Sequence, residues 1–311
     1  MKNEKWTAEN IPNQKGKVAI VTGSSSGIGY EAARVLADKQ ATVIIAVRNL
    51  EKGNAAAAKI LQHNKEADLK VMELDVANLE SIESFAQEFK KTYLRLDLLI
   101  NNAGVMVPPV SKTKDGFELQ FGTNHLGHFA LTAQLLDVLT NTVGARVVNV
   151  SSSAHRLGKL NFDDLAWEKR TYFAARAYSD SKIANLYFTF ELDRKLKENK
   201  LDLTTTAAHP GLTATELKRY GGVMNFLTGF FAQDVAMGAL PVLRAATEKE
   251  IKGGEFFSPD GFLELGGYPV EVKPSKLSKD EKIAAKLWAV SEELTKVKFE
   301  FNKQSRQLAA A

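Results

Sequence analysis

A tyrosine and a lysine stand four positions apart at Tyr178 and Lys182, in a stretch with a helical pattern. Residues at this spacing share one face of a helix, about one turn apart. A phenol titrates near pH 10 and is by itself a poor acid–base group at neutral pH. A cation about 4 Å away, at an effective dielectric constant of about 20, contributes ~4 kcal/mol, which could lower the phenol pKa by up to about 3. The pair could therefore exchange a proton with a substrate oxygen.

Two further polar residues could assist such a proton transfer. Ser152 follows the apolar run RVVNV, and its hydroxyl could hold a substrate oxygen beside Tyr178. Serines after a strand commonly form turns, and Ser151 and Ser153 are interpreted in that way, although either could replace Ser152. Asn124 is an unfavourable choice inside a helix. It indicates a backbone distortion, a bound water in a proton relay, or a tolerated polar residue.

A glycine-rich stretch, TGSSSGIG, follows the apolar run Val18–Val21 and precedes a helical pattern. A strand, a turn and a helix in this order form a phosphate site, because unpaired amides and the positive end of the helix dipole face the turn. The glycines let the backbone approach a pyrophosphate where a Cβ would collide. The spacing differs from the usual GxGxxG, and an ordinary glycine–serine loop is the alternative. The stretch predicts cofactor contacts at Gly23, Ser25, Ser26, Gly27, Ile28 and Gly29.

The residues that end the next predicted strands favour one nicotinamide cofactor over another. Enzymes that use NAD usually carry an acid at the end of the second strand, but here Val47 is followed by Arg48 and Asn49. Arginine suits the 2′-phosphate of NADP, so NADP(H) is predicted over NAD(H), with an ordinary surface arginine as the alternative. Asp75 could accept from the adenine amino group or could cap the next helix. The other predicted cofactor contacts here are Val76, Asn102, Ala103 and Gly104.

Apolar runs that alternate with helical patterns predict the elements that place these residues. Strands are predicted at 18–21, 42–47, 69–74, 96–100, 146–150 and 203–207, with a weaker candidate at 253–257. Helices are predicted from Ile28 onward and at 51–63, 79–91, 117–139, 174–197 and 279–294. Strands that are apolar throughout require a parallel sheet covered on both faces, and right-handed crossovers make it doubly wound. No linker divides the 311 residues, so a single α/β domain is predicted.

The composition excludes several other classes of protein. With 41 Lys and Arg against 37 Asp and Glu, the net charge is +4 and spread along the chain, so no nucleic-acid partner is predicted. There are no cysteines, which excludes disulfides and thiolate catalysis. No apolar run approaches the ~20 residues of a membrane span, so no span and a cytoplasmic location are predicted. No metal site is predicted, because four histidines lack ligand spacing: His125, His128, His155 and His209.

Taken in order, these motifs resemble those of the short-chain dehydrogenase/reductase family, over roughly Gly16 to Pro269. The set comprises TGSSSGIG, the NNAG at 101–104, Asn124, the serine after the fifth strand, YxxxK and the HPG turn at 209–211. The resemblance implies a seven-stranded Rossmann sheet. It also implies a catalytic tetrad of Asn124, Ser152, Tyr178 and Lys182. The further cofactor contacts that it implies are Tyr178, Lys182, Pro210, Gly211 and Thr213, with Thr215 as the alternative to Thr213.

Within the family, the chain is most similar to the retinol dehydrogenase/protochlorophyllide reductase-like branch. The similarity lies in VNVSSSAHRLG, AYSDSKIANLYFTFEL and PDGFLELGGYP. Ser152 and Tyr178 are 26 residues apart, about twice the usual family spacing, and the extra residues 157–177 fit this branch. Animal retinol enzymes carry membrane anchors, which are not predicted here, so a soluble bacterial relative is expected and a retinoid substrate does not follow. Light-driven reductases of the branch typically use cysteines, which this chain lacks.

The predicted function is an NADP(H)-dependent oxidoreductase that interconverts a carbonyl and an alcohol on a small, apolar substrate. The alternative is a nucleotide-sensing or scaffold protein without the chemistry, against which the tyrosine–lysine pair argues. Residues 212–231 are rich in apolar side chains and are predicted to be a substrate lid, although a packed helix pair or an oligomerisation surface fits equally. Residues 1–15 are predicted to be a surface extension and 279–311 a C-terminal helix and tail. A homo-oligomer is compatible with the sequence.

Overall fold

Eight strands form one sheet in the residues that the structure, a computed structural model, describes, which are 5–212 and 233–301. They are β1 (Val18–Thr22), β2 (Thr42–Val47), β3 (Leu69–Glu73), β4 (Leu98–Asn101), β5 (Ala145–Val150), β6 (Leu203–Ala208), β7 (Phe256–Pro259) and β8 (Pro269–Glu271). Their order is β3-β2-β1-β4-β5-β6-β7-β8, and every neighbouring pair is parallel except β7 with β8. The sheet has one strand more than the seven predicted, because β8 has three residues and begins with proline, and so gives no apolar run.

Helices cover both faces of this sheet. They are α1 (Gly27–Asp38), α2 (Leu50–His63), α3 (Leu79–Thr92), α4 (Leu119–Phe121), α5 (Gly127–Gln134), α6 (Leu136–Asn141), α7 (Ala174–Glu198), α8 (Val235–Thr247) and α9 (Glu281–Thr295). Successive residues of β1 explain the two layers, since side chains alternate between faces. Ala19 and Val21 pack in one core with α1 and α8, and Ile20 packs in another with α3 and α5. The predicted doubly wound Rossmann architecture is confirmed.

The long helical stretch predicted at 117–139 is present at 119–141, but as α4, a π turn, α5 and α6 rather than as one regular α-helix. Between α4 and α5 lies a π turn, Gly122–Leu126, in which the N–H of Gly127 bonds the carbonyl of Gly122 five residues back. A Cβ on Gly127 would collide with the main-chain oxygen of Val76, so the chain here lies directly against the segment that follows β3. Asn124 is inside the π turn. Its poor helix propensity therefore marks a backbone distortion, one of the alternatives drawn from the sequence.

The order of strands places a crevice beside β1. Strands β2 and β3 extend the sheet to one side of β1, whereas β4 and the later strands extend it to the other. At such a switch point the connections leave in opposite directions, and a ligand can enter between them at the carboxyl ends of the strands. The residues at these ends are Thr22, Asn101 and Val150.

Helix α7 carries the predicted tyrosine–lysine pair, and its middle part is buried. Every residue from Ala177 to Thr189 is buried, because α7 packs on β5 and β6 and is covered by α9. Beyond α9, Phe299 stacks into an aromatic cluster with Trp288 and Phe129. Across the described ranges, no helix combines the length and apolarity that crossing a membrane requires.

Candidate active site

A cleft of about 690 Å³ opens at the carboxyl ends of β1, β4 and β5. Its volume falls in the range of about 300–1,000 Å³ that ligand sites occupy. Gly211 lies outside its wall, and Thr213 and Thr215 fall outside the described residues, as does nearly all of the segment 212–231. The predicted cofactor contacts that do line it are Gly23, Ser25, Ser26, Gly27, Ile28, Gly29, Arg48, Asp75, Val76, Asn102, Ala103, Gly104, Tyr178, Lys182 and Pro210.

The turn between β1 and α1 is built for close approach of main chain. Ser26 precedes α1 in an extended conformation, and its side chain does not cap the helix, so first-turn N–H groups are left for a ligand. A Cβ on Gly29 would collide with Nδ2 of Asn102 and lie 2.8 Å from the oxygen of Gly23. Gly23 itself has a φ of +68°, and a Cβ there would lie 2.9 Å from the Cα of Ala103. Both positions therefore require glycine.

Thr22, the last residue of β1, ties this turn to the segment that follows β4. Its Oγ1 accepts hydrogen bonds from the main-chain N–H groups of Asn102 and Ala103, both at 2.9 Å. Its main-chain oxygen accepts a bond of 2.8 Å from Nδ2 of Asn102. The first two motifs, which are 80 residues apart in sequence, thus form one continuous wall.

The end of the cleft beside β2 carries two exposed cations. Arg48 follows β2, and Lys52 lies in the first turn of α2. Neither side chain makes an ion pair or hydrogen bond within the described part of the chain. Asn49 caps α2 by accepting from the N–H of Lys52 at 2.8 Å, which fixes where the lysine stands. Lys52 was not predicted, and its place three residues after a capping asparagine next to β2 is the signal that could have found it.

Asp75 does not cap the helix after β3, so that alternative is wrong. Its Oδ1 accepts from the N–H of Ala77 at 3.0 Å in a local turn. The cap of α3 is Asn78, whose side chain accepts from the N–H of Glu80 at 3.2 Å. Asp75 lines the cleft, and its contact with adenine stays a prediction.

Tyr178 and Lys182 stand together on the cleft wall. Their exposed fractions are 8% and 5%, because α7 is packed between the sheet and α9. Nζ of Lys182 donates to the main-chain oxygen of Val150 at 3.1 Å and lies 5.6 Å from the centre of the Tyr178 ring. The end of β5 therefore holds the ammonium group of Lys182 beside the ring of Tyr178.

Asn124 links the segment after β4 to α7. Its Oδ1 accepts from the N–H of Val105 at 2.8 Å, and its Nδ2 donates to the oxygen of Val105 at 3.0 Å and to Oγ of Ser181 at 2.9 Å. A Cβ on Gly104 would lie 3.0 Å from Oδ1 of Asn124 and 3.7 Å from Nζ of Lys182. The side chains of Asn124 and Lys182 thus meet the segment after β4 at Gly104.

The three serines after β5 differ in what their hydroxyls do. Ser151 lines the cleft, but its hydroxyl donates to the main-chain oxygen of Lys182 at 2.8 Å. Ser152 stands next to the wall rather than in it, and its Oγ accepts from the N–H of Ala154 at 3.2 Å, where the 3₁₀ turn Ser153–Leu157 begins. The proton of Ser151 is committed to α7, whereas the hydroxyl of Ser152 donates to no group in the part of the chain that the structure describes.

The residues 157–177 brace the start of α7 and α4. Asp180, which is buried, accepts from the N–H of Lys159 at 2.8 Å, and its burial raises the pKa of the carboxyl. Tyr172 donates to Oε1 of Glu118 at 2.8 Å. Burial raises the pKa of Tyr172 to about 12, so the phenol stays a donor. The extra length of this branch therefore supports the helix that carries the tyrosine–lysine pair.

Several wall residues have no motif that could have revealed them. They belong to the loop after β4, to α4 and to the π turn. They include Val105, Met106, Leu119 and Thr123.

Comparisons with known proteins agree with this architecture. The family model for short chain dehydrogenases matches residues 17–222. Retinol dehydrogenase 12 of Mus musculus is 41% identical over 290 residues, which are 92% of this chain and 88% of the mouse protein. A chloroplastic short-chain dehydrogenase, TIC 32 B of Brassica napus, is 37% identical, with 92% of this chain and 91% of that protein covered.

Solved structures give the same result. A crystal structure of an uncharacterised protein from Mycobacterium paratuberculosis is 40% identical, with a TM-score of 0.80 over 95% of this chain and 99% of that one. A short chain dehydrogenase of Shigella flexneri, solved as a complex with NADP, is 26% identical, with a TM-score of 0.62 over 79% of this chain and 98% of that one. The chain therefore belongs to the short-chain dehydrogenase family, in its retinol dehydrogenase-like branch, and is an NAD(P)-dependent oxidoreductase that acts on alcohol or carbonyl groups.

Proposed function

We propose that the chain is an NADP(H)-preferring enzyme that interconverts a carbonyl and an alcohol on a small, apolar substrate, with Tyr178 as the acid–base. The observation that carries the proposal is the shared wall: the buried pair Tyr178 and Lys182 faces the same cleft as the glycine turn. A protein that only sensed a nucleotide would have no need of a buried phenol–ammonium pair at the far end of its nucleotide cleft.

Each residue of the site has a separate role in the proposed reaction. The nicotinamide, when bound, supplies or accepts the hydride. Tyr178 gives a proton to the carbonyl oxygen in reduction and takes it back in oxidation, and Lys182 favours the phenolate form of the tyrosine. Ser152 orients the same oxygen with its hydroxyl proton, which has no acceptor within the described residues. Asn124 holds the loop after β4 against α7, beside Lys182.

The preference for NADP(H) is supported by the charges beside β2. Arg48 and Lys52 line the cleft without a partner in the described ranges, and no carboxylate takes the place that binds a ribose 2′-hydroxyl in NAD enzymes. A 2′-phosphate would be bound by the fork of the arginine and the point charge of the lysine. The Shigella neighbour was solved with NADP.

The experiment is a titration of the purified protein with NADPH and NADH, followed by nicotinamide fluorescence. We expect tighter binding of NADPH, and a loss of that preference in Arg48→Ala and, to a smaller extent, in Lys52→Ala. Lys59→Ala is the matched control, because Lys59 lines a neighbouring hollow of about 420 Å³ but not the cleft. Equal or tighter NADH binding would contradict the preference, and binding without turnover of any aldehyde or ketone would favour the sensor alternative.

Met106 and Leu119 on the cleft wall, and the retinol dehydrogenases among the relatives, support an apolar substrate. We propose further that residues 1–311 act as one domain and that the enzyme works in the cytoplasm. A homo-oligomer remains compatible with these proposals, and size-exclusion chromatography with light scattering tests it.

A further inference from the structure

Two buried histidines have no place in the chemistry proposed above, yet each is bonded to a residue that does. His128 and His155 have exposed fractions of 2% and 0%. Nδ1 of His128 lies 3.1 Å from the main-chain oxygen of Asn124, and Nδ1 of His155 lies 2.6 Å from the main-chain oxygen of Ser152. In each histidine, Nδ1 thus contacts the main-chain oxygen of one tetrad residue.

The partners fix the tautomer of both rings. A carbonyl oxygen can only accept, so Nδ1 carries the proton in each histidine. In a neutral ring, Nε2 is then an acceptor. Nε2 of His155 lies 3.1 Å from the main-chain N–H of Ser275, which can only donate, and this agrees with the assignment.

The second contact of His128 leads to the glycine turn. Its Nε2 lies 3.0 Å from Oγ1 of Thr22, which must donate to it. The alternative acceptor for this hydroxyl, the oxygen of Ile100, is farther away at 3.3 Å. Oγ1 of Thr22 can still accept from the segment after β4, so His128 joins that segment to the π turn of Asn124.

Burial keeps both rings in the neutral form that these bonds require. It lowers the pKa of His128 to about 4 and also lowers the pKa of His155. At neutral pH each ring can therefore donate at Nδ1 and accept at Nε2 at the same time.

We propose that His128 and His155 are positioning residues, which hold the backbone of Asn124 and Ser152 in place through Nδ1 and anchor it to another element through Nε2. Both targets lie in irregular backbone, a π turn and the start of a 3₁₀ turn, where no regular helix fixes the chain. A displacement of about 1 Å in such groups can cost ~100-fold in rate. The proposal rests on the tetrad of the proposed function.

The test compares two amides at each position. In His→Asn the amide nitrogen lies close to the place of Nδ1 and can still donate to the carbonyl, whereas in His→Gln it lies nearer to Nε2. We expect His128→Gln and His155→Gln to lose about 10- to 100-fold in kcat, with NADPH affinity little changed. The Asn variants should keep most of the turnover, although both amides lower the melting temperature alike.

His125→Asn and His125→Gln are the matched control, because His125 is as buried but its ring bonds Oγ of Ser291 in α9. No difference in kcat between Asn and Gln is expected there. Equal losses for Asn and Gln at positions 128 and 155, or losses that follow the melting temperature alone, would overturn the proposal. A wild type that turns over no carbonyl would instead overturn the proposed function.

A second measurement needs no substrate. Nitrogen-15 spectra of the histidine rings distinguish the two neutral tautomers and the charged form. We expect His128 and His155 to be neutral and protonated at Nδ1 at pH 7. An Nε2-protonated or charged ring at either position would overturn the proposal even if turnover cannot be measured.

Discussion

The two halves of the cleft are built in different ways. The glycine half consists of the turn Gly23–Gly29 and the segment Asn102–Gly104, and it is made of main chain brought close together by missing side chains. The tetrad half consists of Tyr178 and Lys182 on the cleft wall and of Asn124 and Ser152 next to it, and it is made of side chains held by polar bonds.

The difference lies in the kind of contact that joins distant parts of the chain. In the glycine half, Thr22 bonds the segment after β4, 80 positions away, and the missing side chains of Gly23 and Gly29 let the two stretches of main chain touch. In the tetrad half, most of the distant contacts are hydrogen bonds of side chains. Asn124 bonds Ser181, 57 positions away, and the ring of His155 bonds Ser275, 120 positions away. Both halves therefore depend on distant parts of the chain, the first through close main-chain packing and the second through polar side-chain partners.

The largest expected effect is a loss of turnover without a loss of cofactor binding. Tyr178→Phe should lower kcat by about 10²- to 10⁴-fold, the range for loss of a general acid–base, with NADPH affinity unchanged. Steady-state turnover and fluorescence titration measure the two quantities. Tyr187→Phe, in the buried core of the same helix, is the control and should leave both unchanged. Normal turnover by Tyr178→Phe would remove the tetrad half from the mechanism.

A change in the glycine half should instead weaken the binding of NADPH. Gly29→Ala forces a Cβ into Asn102 and towards the oxygen of Gly23, so we expect NADPH affinity to fall at least ~10-fold and stability by about 1–3 kcal/mol. The measurements are fluorescence titration and denaturant unfolding.

Gly116→Ala is the control for Gly29→Ala. It has a φ of +88° and open space around it, so it should cost some stability but no affinity. If both variants bind NADPH equally well, close main-chain approach is not what builds this half.

Mild acid should weaken the fold through histidines buried near the tetrad half. Burial lowers the pKa of His125 to about 3 and those of His128 and His209 to about 4. The unfolded chain binds these protons near pH 6.5 and the folded chain does not, so stability falls as the pH drops below about 6.5. From pH 7 to 6 we expect a loss of about 0.7 kcal/mol for each residue, or about 2 kcal/mol in all. Urea unfolding at both pH values measures it, and a constant free energy of unfolding would contradict the neutral rings.

The smallest expected effect tests whether residues 157–177 belong to the tetrad half. Tyr172→Phe removes the hydroxyl that bonds Glu118 and should cost about 1 kcal/mol of stability. Because Glu118 still caps α4, kcat should change less than about twofold. A larger loss of turnover would show that this bond, and not packing alone, holds the start of α7 in register.

The sequence predicted the two halves to different depths for the same reason. Apolar runs and glycine spacing are local signals, so the strands of the doubly wound sheet and the glycine turn followed from them. The spacing of Tyr178 and Lys182 placed both on one wall, because four residues of helix have a known geometry. Neither the π turn nor the partners of Asn124 could be predicted, because they depend on Val76 and Ser181 meeting the chain in space. The eighth strand escaped prediction because three residues carry no periodicity.

The edges of the sheet have a consequence for how copies of this chain meet. One edge is β3, whose Lys70 and Glu73 are exposed, and the other is β8, which is three residues long and starts with Pro269, a residue without an N–H. Charges, shortness and proline all discourage a foreign strand from adding to an edge. In a crowded solution, the two described edges of this sheet therefore resist amyloid-like stacking of one copy on another.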